Sequence, residues 1–217
     1  MADYTTVVVR NSTNEPVEVF LTFAAQNPAN QCCPTPVGVS DFPILEPMAN
    51  QPLRGKFMLG AHQEQLFDSK GQCFSGNFGF YIQPQCPVSG ADFNHGQDGT
   101  SIAEFTFNPA STCAEAFDIS CVNGVNCFLQ ISVEEGQGWY YGPDQTPITS
   151  IYNRGLQQNK GLPGVYPVNC TDCIRLVGDA PCSSLPIGPA QDERICNIQR
   201  PGRGGVVTIT LVDVEPA

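Results

Sequence analysis

Glu104 and Asp118 are the two residues whose type and spacing suggest chemistry, set within "SIAEFTFNPASTCAEAFDISCVNG" over 101–124. A pair of carboxyl groups can hydrolyse a glycoside. One protonates the leaving oxygen, and the second acts as nucleophile or activates water. Mutual repulsion between two close carboxylates raises the pKa of one of them, which suits the acid. The plainer reading is that both only solvate a sheet face. Two further clusters invite the same question. "GWYYG" (138–142) and the aromatic residues Phe78, Phe80 and Tyr81 offer rings on which sugar faces could stack. For Trp139 and its neighbours, cover of an apolar core edge is the favoured alternative. Cys170-Thr171-Asp172-Cys173 has the spacing of half a zinc site. No second such pair and no neighbouring histidine accompany it, so disulfide bonding is the better reading and no metal is expected.

The elements that must position these residues read as strands. In "SIAEFTF", Ala103, Phe105 and Phe107 take one face, and Ile102, Glu104 and Thr106 the other. Further strands are predicted at Tyr4–Asn11, Val17–Phe23, Leu53–Leu59, Glu64–Phe67, Gly76–Gln83, Cys127–Glu135 and Gly204–Val214. The turn "STNEP" makes Val17–Phe23 the expected hairpin partner of the first strand. The last strand resembles the first in character, which places both termini in one sheet. Residues 136–203 lose the alternation and are expected to form a loop-rich, disulfide-held excursion within a single domain covering 1–217. Many short strands with frequent turns argue an all-β sandwich.

Charged residues make up only 14 %, and 21 acidic against 10 basic residues give a formal net charge of -11. An acidic chain repels phosphate backbones, so no nucleic-acid partner is expected. No apolar run reaches the ~20 residues of a membrane helix, so no membrane insertion is expected. The 11 cysteines point to an oxidising compartment, with one thiol left over after pairing. An extracellular or surface location is expected, although "MADYTTVVVRN" shows no signal-peptide pattern. Up to five disulfides are expected, mostly between cysteines near in sequence. Asn11-Ser12-Thr13 and Asn169-Cys170-Thr171 are glycosylation sequons. Neither histidine, His62 or His95, lies in a nucleophile motif, and "GRGG" (202–205) precedes a strand and reads as a turn.

"IAEFTFN…FDISCVNGVN" resembles the central motif of the thaumatin-like proteins, LAEFTLN…YDISLVDGFN. The amino-terminal strand–Asn11–strand and the closing "VVTITL" are similar to that family's ends. The resemblance implies a jelly-roll-like β-sandwich with disulfide-stapled loops and an acidic cleft. It also implies a carbohydrate partner, since many members bind β-1,3-glucans and some hydrolyse them or act on fungi. Glu104 and Asp118 match two of the family's cleft residues. Asn123 stands where the second Asp belongs, and Gln83 where the Arg does, if Cys86 is aligned with the cysteine closing that strand. The cysteine set is smaller than the family's, and its "GDCGG" loop reads "GQDGT" (96–100) here.

The expected site is a groove with Glu104 and Asp118 as the catalytic pair, if there is catalysis, and Gln83, Asn123 and Tyr81 as binding residues. Gln and Asn can hydrogen-bond sugar but add no charge. The leading expectation is therefore a secreted, acidic carbohydrate-binding protein that needs no cofactor. A second is a structural subunit that self-associates, which the odd cysteine and the strand edges permit. The third is an endo-β-1,3-glucanase or antifungal protein.

Overall fold

The protein is described from a computed structural model, which covers residues 3–82, 101–120, 127–141, 145–152 and 198–213. The strands are β1 (Thr5–Asn11), β2 (Val17–Phe23), β3 (Glu46–Met48), β4 (Gln51–Leu59), β5 (Glu64–Phe67), β6 (Phe74–Phe80) and β7 (Ile102–Phe107). They continue with β8 (Glu115–Ser120), β9 (Phe128–Val133), β10 (Tyr140–Tyr141), β11 (Thr146–Pro147), β12 (Ser150–Tyr152), β13 (Ile198–Arg200) and β14 (Gly205–Asp213). One sheet has the order β12-β9-β14-β1-β5, the other β11-β10-β13-β8-β7-β6-β2-β4-β3. The class is all-β. Among the described residues the only helical turn is a short 3-10 segment, Val39–Asp41, and no helix is long and apolar enough to cross a membrane.

Period-two alternation decides which side of each strand meets the core. Val7, Val9, Val19, Leu21, Phe105, Phe107, Val207 and Ile209 are buried in one hydrophobic cluster. Phenylalanine rings fill its centre. Phe74 meets Phe105 edge-on at 4.7 Å, and Phe105 stacks on Phe107 at 5.0 Å. Each buried ring contributes roughly 1.5–3 kcal/mol relative to exposure.

The termini do share a sheet, since β1 runs parallel to β14 with Val7 opposite Val207. The predicted β1–β2 hairpin does not form. β1 is held by β14 on one side and by β5 on the other, so it has no free edge for β2. The chain instead crosses to the second sheet after Asn11, where β2 pairs with β4 and β6. Four short strands of the 136–203 stretch lie within the described residues. Its β12 extends the first sheet beside β9, and its β10, β11 and β13 extend the second beyond β8.

β8 escaped the sequence reading because its core-facing position Glu115 breaks the apolar pattern. Glu115 is fully buried and pairs with Arg200 at 2.6 Å. Thr5 Oγ1 donates to the same carboxylate at 2.7 Å, as does the Asn108 backbone N–H at 2.8 Å. The Arg200 guanidinium also lies 4.4 Å from the centre of the Trp139 ring. A buried carboxylate is tolerable only when paired and hydrogen-bonded in this way. The knot joins β1, β8 and β13.

Two disulfides are described, Cys32–Cys113 and Cys33–Cys73, with sequence separations of 81 and 40. These two are long-range staples, while the cysteines expected to form local links, Cys170 to Cys196, lie outside the described residues. Cys32 and Cys33 are adjacent in one loop, so that loop is tied to two distant segments at once. Cys127 is fully buried in the core. Cys86, Cys121, Cys170, Cys173, Cys182 and Cys196 lie outside the described residues.

Candidate functional site: a polar groove across four strands

Strand register brings the predicted pair together. Glu104 on β7 stands directly opposite Asp118 on β8. The same row continues through Asn77 on β6 and Thr22 on β2 to Arg54 on β4. All five belong to the alternation set that faces away from the core. The core-facing set of the same strands comprises Leu21, Phe57, Phe78, Phe105 and Phe117.

The neighbouring row is built from Ala24, Ser75, Thr106 and Ala116. These are short side chains, so the sheet face is recessed beside the larger Asn77, Glu104 and Asp118. Ser75 and Thr106 hydroxyls bond each other at 2.8 Å. On the other flank Phe20 stands opposite Gly79, and Gly79 opposite Ile102, with Phe20 and Ile102 both buried. The result is a groove of about 380 Å³ that crosses β2, β6, β7 and β8 and is lined by Thr22, Asn77, Glu104 and Asp118 together with the short row. The Phe23, Phe105 and Phe117 rings at this level belong to the core. Recognition in the groove therefore falls to hydroxyl, amide and carboxyl groups.

Asp118 is only 5 % exposed. Burial, then the charge of Glu104 and a hydrogen bond with it, hold the Asp118 carboxyl well above the usual carboxylate range. Directly opposed residues on neighbouring strands hold their Cβ atoms about 4.5–5.5 Å apart. Retaining glycosidases separate their carboxyl groups by about 5–5.5 Å and inverting ones by about 6.5–9.5 Å. Glu104 and Asp118 thus project side by side from one wall, not from opposite sides of a substrate. Three buried polar atoms of the groove have no hydrogen-bond partner: Thr22 Oγ1, Asn77 Oδ1 and Asp118 Oδ1. Such atoms cost roughly 1–3 kcal/mol each until water or a ligand satisfies them.

The other predicted residues fare differently. Tyr81 follows β6 and is 48 % exposed. Its backbone N–H donates to Glu18 O at 2.8 Å. It stands four residues from Asn77 along the chain, about 13 Å at strand spacing, and is not among the groove's described lining. Gln83 and Asn123 lie outside the described residues. Trp139 is 3 % exposed and packs on Phe117 at 4.7 Å, so it covers the core and offers no sugar platform. Phe78 and Phe80 are core residues too. Thr22 and Asn77 were missed. The signal for them was a polar residue at the outward position of two strands already read, but only strand order puts those positions in one row with Glu104.

No family model matches this chain, and no curated protein matches it in sequence. Among solved structures the chain is similar to a thaumatin-like xylanase inhibitor, TLXI, at 9 % identity and a TM-score of 0.43, over 94 % of this chain and 97 % of that one. No residue's role is taken from that protein.

Proposed function

We propose that this chain is a secreted thaumatin-like protein whose groove binds a neutral, hydroxyl-rich carbohydrate of β-glucan type and does not cleave it. The observation that carries this reading is the set of three buried, unpartnered polar atoms, Thr22 Oγ1, Asn77 Oδ1 and Asp118 Oδ1, lining one groove. Sugar hydroxyls both donate and accept, so they complement such a wall. The side-by-side placement of Glu104 and Asp118 on adjacent strands argues against hydrolysis, because a glycosidase's two carboxyl groups flank the scissile bond. Two long-range disulfides support an extracellular setting.

A glycan array on the folded protein, followed by a reducing-end assay on laminarin, tests the proposal. Binding without cleavage is expected from the wild type. Robust cleavage that Glu104→Gln abolishes would overturn the non-catalytic reading. If no glycan binds, the carboxyl pair is structural, and self-association, checked by size-exclusion chromatography, becomes the reading to pursue.

A further inference from the structure

We propose that Thr22 and Asn77 are ligand-binding residues and that the groove takes an extended, uncharged oligosaccharide laid at right angles to the strands, from β2 to β8. The inference rests on the carbohydrate-binding reading and adds to it a direction, a length and two residues.

Direction follows from the row. Thr22, Asn77, Glu104 and Asp118 are successive register partners on adjacent strands, so their side chains follow one another across the sheet. Adjacent strands lie about 4.8 Å apart, which makes the row about 14 Å from β2 to β8. That span suits a short linear oligosaccharide and exceeds a monosaccharide. The recessed row of Ala24, Ser75, Thr106 and Ala116 runs parallel to it and leaves room for the chain.

The chemistry along the row is graded. Thr22 offers a hydroxyl that donates or accepts, Asn77 Oδ1 accepts, and the carboxyl pair closes the β8 end. The acidic pair alone would not define a site. Asp118 lines the groove although 95 % removed from solvent, and its Oδ1 meets no partner. Asn77 Oδ1 and Thr22 Oγ1 are also buried and unpartnered, one and two strands beyond Glu104. An anionic sugar would meet the carboxyl end unfavourably, and Arg54, the next residue of the row on β4, is not among the groove's described lining, so the ligand is uncharged.

Calorimetry with laminari-oligosaccharides of increasing length tests this on the wild type, Thr22→Val, Asn77→Ala and Glu104→Gln. Wild-type affinity is expected to rise with chain length and then level off once the row is covered. Thr22→Val and Asn77→Ala should each weaken the longest oligomer about 3- to 10-fold, the loss of one hydrogen bond, while laminaribiose binding changes less. Thr22→Ser keeps the hydroxyl and should retain affinity, which separates a lost contact from a disturbed fold. If Glu104→Gln weakens binding but Thr22→Val and Asn77→Ala do not, the carboxyl pair acts alone. The inference then fails while the carbohydrate-binding reading stands. If the wild type binds none of these oligomers, both fail.

Discussion

Glu104 and Asp118 face each other across β7 and β8 and share a hydrogen bond, and Asp118, a buried residue of the groove wall, leaves its Oδ1 without a partner. The arrangement has a consequence for stability. The Asp118 carboxyl is held up by burial and by Glu104, so the folded state keeps its proton at a pH where the unfolded chain has released it.

The folded chain therefore binds more protons than the unfolded one between the unfolded pKa, about 3.9, and the raised folded value. Stability from this group is full below that window and falls as pH rises through it, by at most about 1.4 kcal/mol per pH unit. Asp118→Asn stays neutral and can donate to Glu104. It should flatten this decline and raise the melting temperature at neutral pH. Urea melts of both proteins from pH 4 upward measure it. Parallel curves at every pH would show that Asp118 ionises normally in the fold.

Arg200 and Glu115 form a buried ion pair, with side chains 2 % and 0 % exposed. Removing one partner of such a pair leaves a buried charge and costs about 3–5 kcal/mol. Arg200→Met should lose that much in a urea melt. Arg200→Met with Glu115→Gln should recover part of it, because no unpaired charge remains. A single variant within about 0.5 kcal/mol of wild type, the range of ordinary surface changes, would show that water reaches Glu115.

Gly79 lies directly under the Phe20 ring. A Cβ added there would stand 2.1 Å from Phe20 Cζ. Gly79→Ala must therefore displace a ring that flanks the groove, at about 1–3 kcal/mol. Combining it with Phe20→Ala removes the clash, so the two changes should be less than additive in chemical denaturation. Strict additivity would place the ring elsewhere.

Much of the fold was legible because apolar alternation is a local signal. β1, β2, β7 and β14 carry it cleanly, and their core residues followed directly. The failures have separate physical causes. β8 hides behind Glu115, whose partner Arg200 is 85 residues away. β10, β11, β12 and β13 are two or three residues long, too short for any period. The β1–β2 hairpin was misread because a turn followed by a strand looks the same whether the chain reverses within a sheet or crosses to the next. For the site, Glu104 and Asp118 were legible through the motif that contains them. Thr22 and Asn77 were not, since a row across β2, β6 and β7 exists only after the strands are ordered.

Asn11 supplies the corner at which the chain leaves the first sheet, and it heads a glycosylation sequon. Its residue is fully buried. The amide nitrogen donates to Glu15 O at 2.7 Å, Gly60 O at 3.1 Å and Leu59 O at 3.3 Å. Its Oδ1 accepts from the Thr13 N–H at 3.0 Å and the Thr13 hydroxyl at 2.8 Å. A glycan on that nitrogen would replace hydrogen bonds that tie β1 to the turn after β4, so glycosylation and this corner exclude one another. Expression in a glycosylating host should yield folded protein with Asn11 unmodified, as peptide mass spectrometry would show. Asn11→Asp would set an acceptor-only carboxylate against three carbonyl oxygens, of which Gly60 O keeps the Gln63 N–H and Glu15 O the Thr13 hydroxyl. It should cost about 1–3 kcal/mol or more by chemical denaturation. Folded, secreted protein carrying a glycan on Asn11 would contradict the buried corner outright.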